Sequence, residues 1–272
     1  MTDVLHISIP EKTERIAVFG GIYSNHTALQ TALIDAQNRG AERMFCLGDL
    51  GAFGPHPDRV YPLLHDHDVI TLRGNYDDSL ARGLNDCQCG YLDTRDNHFA
   101  RLSYRYTFFN TSDENKIWLG KLPEMVRFRW GARQVLLCHG SPRKMNEFLW
   151  ESTTPDQFLH KLFVDYDADV IIGTHTGLKW SRTLASGQSF INVGALGRPE
   201  NDGTTRVWYT LLHNVDSELT TTFVPVEYDY ERLAGEMREE ALPEEFVQTI
   251  LTGWWTTCLE ILPAKERQRG KW

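Results

Sequence analysis

Six short apolar runs, each broken by a polar or glycine-rich turn, constrain the fold of this chain more than any other feature. They are Ile16-Ala17-Val18-Phe19 before Gly20-Gly21, Met44-Phe45-Cys46-Leu47 before Gly48-Asp49, and Val69-Ile70-Thr71-Leu72 before Arg73-Gly74-Asn75. Further along come Val135-Leu136-Leu137-Cys138 before His139-Gly140, Val170-Ile171-Ile172 before Gly173-Thr174-His175, and Phe190-Ile191 before Asn192-Val193-Gly194. Runs of this length, bounded by turn residues, read as strands buried on both faces. After the first run, Ala28, Leu29, Ala32, Leu33 and Ala36 fall on one helical face and Gly40 follows as a stop. Strand, helix, strand in that order predicts a largely parallel α/β sheet. Each polar cluster then stands at the carboxyl end of a strand, the edge along which open α/β sheets hold their ligands.

Four residues at those strand ends, Asp49, Asn75, His139 and His175, form a mixed oxygen and nitrogen donor set. Such a set suits Mn, Fe or Zn better than Ca, and the lack of thiolates argues against a structural zinc cage. Taken singly, an Asp after a Gly is usually a turn residue or cap, and a His at a strand end is usually hydrogen-bonded structure. Their recurrence at successive strand ends is what points to a metal.

The chain resembles a calcineurin-like metallophosphoesterase, and in particular a small bacterial branch carrying G-D, G-N-Y-D, H-G-S-P-R and G-H-T-H stretches. Here these read Gly48-Asp49, Gly74-Asn75-Tyr76-Asp77, His139-Gly140-Ser141-Pro142-Arg143 and Thr174-His175-Thr176-Gly177. The resemblance runs from about Ile16 to about Leu212 and implies a two-layer β-sandwich flanked by helices. It also implies two adjacent metals bridged by Asp49. One site would take Asp49, Asn75, His139 and His175, all present. The ligands special to the other would stand at positions 21, 23 and 177, which here are Gly21, Tyr23 and Gly177. One divalent transition metal (Mn, Fe or Zn) is therefore expected.

A two-metal site clamps phosphoryl oxygens between ions about 3.5–4 Å apart, and a single ion cannot bridge. The leading expectation is weak or atypical hydrolysis of a phosphate mono- or diester. The rival is an inactive family member serving as a phosphate-ligand sensor or protein-binding module. Tyr76 stands where many relatives carry a catalytic His, although the G-N-Y-D branch shares the Tyr. His26, in the vacated stretch, is a candidate base near neutral pH; its bland reading is a first-turn helix residue with no contact to the site.

Basic residues gather in the site loops although the 272-residue chain carries a net charge of −9. Among Arg73, Arg143, Lys144, Lys179, Arg182 and Arg198, the sequence favours Arg73 and Arg143 as phosphate contacts. The acidic balance argues against nucleic acid as a partner, and no run approaches the ~18 apolar residues of a membrane span. The five cysteines lack framework spacing, which favours a reducing cytoplasm. Cys46 and Cys138 read as core, and Cys87 and Cys89 as structural. The whole chain reads as one domain, with residues 79–120 a helical insertion over the site and 228–272 a helical tail. In that tail, apolar residues from Phe246 to Leu259 recur at helical spacing and Pro263 ends the pattern. It would pack on the chain's own sheet or on a second subunit, with one of the adjacent Trp254 and Trp255 at a rim.

Overall fold

The computed structural model describes residues 3–216 and 218–268. All six apolar runs form strands. They are β2 (Arg15–Phe19), β3 (Arg43–Cys46), β4 (Ile70–Thr71), β6 (Arg133–Cys138), β7 (Val170–Gly173) and β9 (Ser189–Val193). Five further strands complete two mixed sheets: β1 (Val4–His6), β5 (Met125–Trp130), β8 (Lys179–Thr183), β10 (Val207–Val215) and β11 (Glu218–Val226). One sheet has the order β1-β5-β6-β7-β9-β8 and the other β11-β10-β2-β3-β4. Within them, β2-β3-β4 and β6-β7-β9 run parallel. The other pairings are antiparallel except β1 with β5. The sheets are thus mixed rather than largely parallel. Of the strands that add the antiparallel pairs, β8 (Lys-Trp-Ser-Arg-Thr) and β11 are alternating or polar and carry no continuous apolar run.

The unbroken apolar runs have a simple cause. Ile16, Val18, Phe45, Leu47, Leu137 and Ile172 point between the sheets. Their neighbours Ala17, Phe19, Met44 and Cys46 face helices on one side, and Leu136, Cys138 and Ile171 face helices on the other. Each strand is therefore covered twice, and the result is a helix–sheet–sheet–helix sandwich. On the outside of the five-stranded sheet lies α1 (His26–Asn38). Asn25 caps it by accepting from the Ala28 amide at 3.0 Å. Ala28, Leu29, Ala32, Leu33 and Ala36 are fully buried, and Ile34 faces outward. Helix α2 (Val60–Asp66) packs beside it. On the outside of the six-stranded sheet, α6 (Asp156–Asp165) buries Leu159, Leu162 and Phe163.

Residues 79–120 contain the end of α3 (Asn75–Arg82) and all of α4 (Thr94–Asn110) and α5 (Asp113–Leu119). Cys87 and Cys89 are joined by a disulfide, while Cys46, Cys138 and Cys258 are free and buried. No helix among the described residues is long and apolar enough to cross a membrane.

The tail departs from the periodicity. After α7 (Tyr230–Glu239), α8 (Glu244–Thr252) buries Phe246, Val247 and Ile250 in the chain's own core. It then stops at Thr252, seven residues before Leu259. Gly253 takes a left-handed φ of +72°, and a Cβ there would lie 2.1 Å from the Thr204 carbonyl oxygen. The chain turns inward instead. The Trp255 amide donates to Asn201 Oδ1 at 2.8 Å and its indole N–H to the Pro199 carbonyl at 2.6 Å. Trp255 is buried and Trp254 half-buried. Tertiary contacts thus override a helical pattern, and a short α9 (Ala264–Gln268) follows.

Gly253→Ala should lower stability by more than about 1 kcal/mol, since it adds left-handed strain to the Thr204 clash. Chemical denaturation measures this, and an unchanged midpoint would contradict the assigned turn.

Candidate metal centre

The parallel strands β2-β3-β4 and β6-β7-β9 end at one edge, where the two sheets touch. Leu196 and Gly197 donate to the Gly21 carbonyl at 3.0 and 2.9 Å, and Thr174 Oγ1 donates to the Gly194 carbonyl at 2.5 Å. The loop after β3 presents Asp49 and the loop after β6 presents His139. His175 follows β7, and Asn75 opens α3. Asp49 and His175 both hold left-handed backbone, with φ of +57° and +67°. Such strain in non-glycine residues clusters at functional sites, where surrounding contacts must hold it.

The holding contacts are specific. Asp77, fully buried, accepts from the amides of Asp49 (2.7 Å), Leu50 (3.0 Å) and Gly74 (2.9 Å). Its carboxylate thus ties the end of β3 to the end of β4. The Tyr76 amide donates to Asp49 Oδ1 at 3.0 Å. Gly74 permits this closeness, because a Cβ there would fall 2.3 Å from Asp49 Oδ1 and 2.9 Å from His139 Cε1. On the other sheet, the Thr174 amide donates to the His139 carbonyl at 2.7 Å, and Asn192 Nδ2 to the Thr174 carbonyl at 2.9 Å. The Phe148 ring lies 4.3 Å from the His175 ring and fixes its plane.

Asp49, His139 and His175 bring one donor atom each within 4.8 Å of one another. His139 Nε2 stands 3.2 Å from Asp49 Oδ2 and 3.1 Å from His175 Nδ1. The other nitrogen, Nδ1, donates to the Leu47 carbonyl at 2.6 Å, which leaves Nε2 as the free donor pair in the neutral ring. Asn75 adjoins the cluster between Gly74 and Tyr76. Its Nδ2 is spent on the Cys87 carbonyl at 2.8 Å and lies 3.6 Å from Cys89 Sγ. Two buried atoms remain unpaired here, Asn75 Oδ1 and His175 Nε2. Asn75 Oδ1, an orphaned acceptor beside converging oxygen and nitrogen donors, is what a cation would satisfy, whereas His175 Nε2 lies across the ring from the Nδ1 that faces the cluster. The residues present therefore fit a divalent metal.

Electrostatics agree with that fit. Burial, then the neighbouring His139, push the His175 pKa down to about 3, so its imidazole is neutral and able to ligate a metal. Burial pulls His139 down, but Asp49 overcomes it and holds the pKa above the ordinary histidine value. Burial works against the Asp49 carboxylate as well. His139 more than offsets this, and the Asp49 pKa lies below its usual value. Burial and the Asp49 charge raise Asp77 to about 7 in spite of its three amide donors.

The other residues singled out in the sequence are placed as follows. The Tyr76 hydroxyl meets Ser103 Oγ of α4 at 2.7 Å, and its ring packs edge-on to Tyr104. His26 opens α1 and pairs with Glu236 at 3.5 Å beside Arg59. Burial lowers its pKa although Glu236 raises it. Arg73 bonds Glu124 at 3.3 Å and approaches Asp78 at 3.5 Å. Arg143 grips Glu147 through Nε at 2.9 Å and stacks over Phe158. At Gly21 a Cβ would lie 2.5 Å from Tyr23 Cε1, so the tyrosine ring fills the space of any side chain there. At Gly177 a Cβ would lie 3.2 Å from the Trp255 ring.

Sequence reasoning missed Asp77, Phe148 and Trp255. Asp77 carried a signal, as the last residue of Gly-Asn-Tyr-Asp, whereas nothing local marks Trp255 as facing Gly177.

This fold and cluster define a mixed-sheet sandwich with a metal-competent centre at the strand ends, the architecture of metal-dependent phosphoesterases. Residues 15–217 match the calcineurin-like phosphoesterase superfamily domain, and the chain belongs to that family. It is similar to an uncharacterized protein of Methanocaldococcus jannaschii, 26% identical over 252 residues, covering 88% of this chain and 98% of that protein. The crystal structure of a metallophosphoesterase from Sphaerobacter thermophilus superposes with a TM-score of 0.68 at 26% identity, over 88% of this chain and 99% of that one. A hypothetical protein from Pyrococcus horikoshii shares the fold with a TM-score of 0.74 at 20% identity, over 88% and 98% of the two chains.

Two predictions follow from the geometry. Asp77→Asn leaves one oxygen for three amides. It should cost about 1.5–3 kcal/mol in denaturation and weaken metal binding about 10–100-fold in a titration. An unaltered metal affinity would show that the clamp is not needed. Raised pKa values at His139 and Asp77 mean that the metal-free protein holds extra protons near neutrality. Stability from these groups is present at low pH and lost as pH rises through the folded-state values. Metal uptake must displace the protons, so affinity should rise between about pH 6 and 8. Calorimetry in buffers of different ionisation enthalpy would register the released protons, and none released would contradict it.

Proposed function

We propose that this chain is a phosphoesterase-family protein with a single retained metal site, acting weakly or atypically on a phosphate mono- or diester. The observation that carries the reading is the contrast between two neighbouring sets of positions. Asp49, His139 and His175 converge beside the unpaired Asn75 Oδ1. Gly21 and Gly177 offer no ligand, and the rings of Tyr23 and Trp255 fill the space beside them. The donor set favours Mn, Fe or Zn. An ion there supplies Lewis-acid polarisation of a phosphoryl oxygen. The chain's own part is to orient: Asp77 fixes Asp49, the Leu47 carbonyl fixes the His139 tautomer, and Phe148 fixes His175.

Arg73 and Arg143 enter this proposal as phosphate contacts that must exchange Glu124 and Glu147 for the ligand. The hydroxyl of Tyr76 and the ring of His26 enter it as acid and base. Tyr76→Phe and His26→Gln would each lower turnover if those roles hold, and unchanged rates would remove them. The substrate is proposed to be a small molecule met in the cytoplasm. One observation favours the rival of a non-catalytic ligand sensor: all four ligand residues are buried, with His175 8% and His139 1% exposed.

Elemental analysis should find about one transition metal per chain, and it should be lost in the His139→Ala, His175→Ala double variant. Two fully occupied ions would sink the reading. Turnover of an aryl phosphodiester should fall on the order of 10²–10³ below a two-metal relative, because one positive charge is missing from the transition state. Gly21→Asp, Tyr23→His and Gly177→His, with Trp255→Ala to make room, should raise both metal content and rate. Wild-type turnover equal to a two-metal relative would refute the account of the vacated positions. Metal retention with no turnover of any phosphate ester would favour the sensor.

A further inference from the structure

The basic residues of the site loops differ sharply in how they are paired. Arg73 meets Glu124, Arg143 meets Glu147, Lys179 meets Glu200 and Arg182 meets Asp156. Lys144 is exposed. Arg198 is different. It is only 6% exposed, and no carboxylate of the described residues pairs with it. Its Nη2 donates to the Thr257 carbonyl at 2.8 Å, and its Nε is buried without a partner. The guanidinium lies 3.7 Å from the Trp255 ring centre and 5.1 Å from that of Phe53.

A buried cation with no counter-charge is costly, and flanking aromatic rings offset only part of that cost. Its surroundings show where an anion would fit. Arg198 lines a cavity of about 20 Å³ together with His175, Gly177, Tyr23 and Trp255. The cavity thus joins the metal-ligand histidine to the position where the resemblance expects, but the sequence lacks, a further ligand.

We infer that Arg198 supplies the second positive charge of this centre, binding an oxyanion of a phosphate group whose remaining oxygens face the Asp49–His139–His175 cluster. The inference rests on the single-metal reading above and deepens it. A guanidinium carries a permanent charge and N–H donors that match phosphate oxygens. Unlike an ion, it cannot activate water, which agrees with binding that outlasts strong catalysis. The cavity is about the size of one water. A phosphate therefore enters only when the covering segment around Trp255, Cys258 and Ile261 moves aside.

The test is calorimetric titration of inorganic phosphate into the metal-loaded full chain, comparing wild type, Arg198→Lys and Arg198→Met, with metal content measured in each. Metal content should stay the same in all three. Phosphate affinity should fall at least about tenfold in Arg198→Met, the loss expected for a charged hydrogen bond, and largely survive in Arg198→Lys. Arg198→Gln is a second uncharged variant should the Met form not fold. Equal phosphate affinity in wild type and a folded uncharged variant overturns the role of Arg198 and leaves the metal reading standing. Phosphate binding that is unchanged after the metal is stripped, yet lost in Arg198→Met, supports Arg198 and overturns the metal reading. No phosphate binding by metal-loaded wild type overturns the role of Arg198, while the measured metal content decides the metal reading separately.

Discussion

The centre depends on one buried carboxylate. Asp77 gathers three backbone amides from two adjacent strand ends and holds the left-handed turn that aims Asp49. Without a partner of this kind the amides would be buried and unsatisfied, and Asp49 would relax out of a conformation that L-residues avoid. The arrangement also sets two carboxylates close together in the protein interior. Burial first, and then their repulsion, raise the pKa of Asp77. His139 offsets part of it from one side, and a metal would offset more. The ligand cluster is therefore poised to take a cation, because its metal-free form is electrostatically incomplete.

Beside the cluster, the edge at positions 21, 23 and 177 is filled by aromatic rings. Tyr23 also holds a left-handed backbone, packs edge-on to Phe53 and covers Gly21. Burial pushes its phenol pKa up, so it remains a neutral hydroxyl. Trp255 arrives from far along the chain and is pinned by Asn201 and Pro199. These are well-packed aromatic contacts rather than a collapsed remnant. Placing ligands at these positions would mean removing packing as well as adding donors, which is why the proposed substitutions include Trp255.

Much of this was legible in the sequence, for a physical reason. Strands covered on both faces write continuous apolar runs; all six runs became strands, and four of them, β3, β4, β6 and β7, are followed by the candidate ligands Asp49, Asn75, His139 and His175. The α1 stripe was equally readable, since its five positions face one core. Strands β8 and β11 were not readable. Their residues alternate or are polar because one face is wet or lies at an edge, as in Glu218–Val226. The C-terminal helix was overextended because periodicity cannot report that Gly253 rests against Thr204. Charge clustering in the loops was visible, but its pairing was not. The favoured Arg73 and Arg143 both have carboxylate partners, and the unpaired guanidinium belongs to Arg198.

Burial then separates the two functional readings on physical grounds. A turnover enzyme must admit substrate and release product, whereas Asp49, Asn75, His139 and His175 are nearly closed from solvent. Closure strengthens every charge interaction inside, because water no longer screens it. It also makes exchange depend on moving the segment that carries Trp255. That segment is anchored by several hydrogen bonds, including Ile261 to Asp96 and Ser152 to Glu266. A site of this kind gains affinity for an anion at the expense of exchange rate. On the proposed reading, slow turnover and tight retention of a phosphate group would be two consequences of one geometry, and the rate at which the Trp255 segment opens would decide between an enzyme and a sensor.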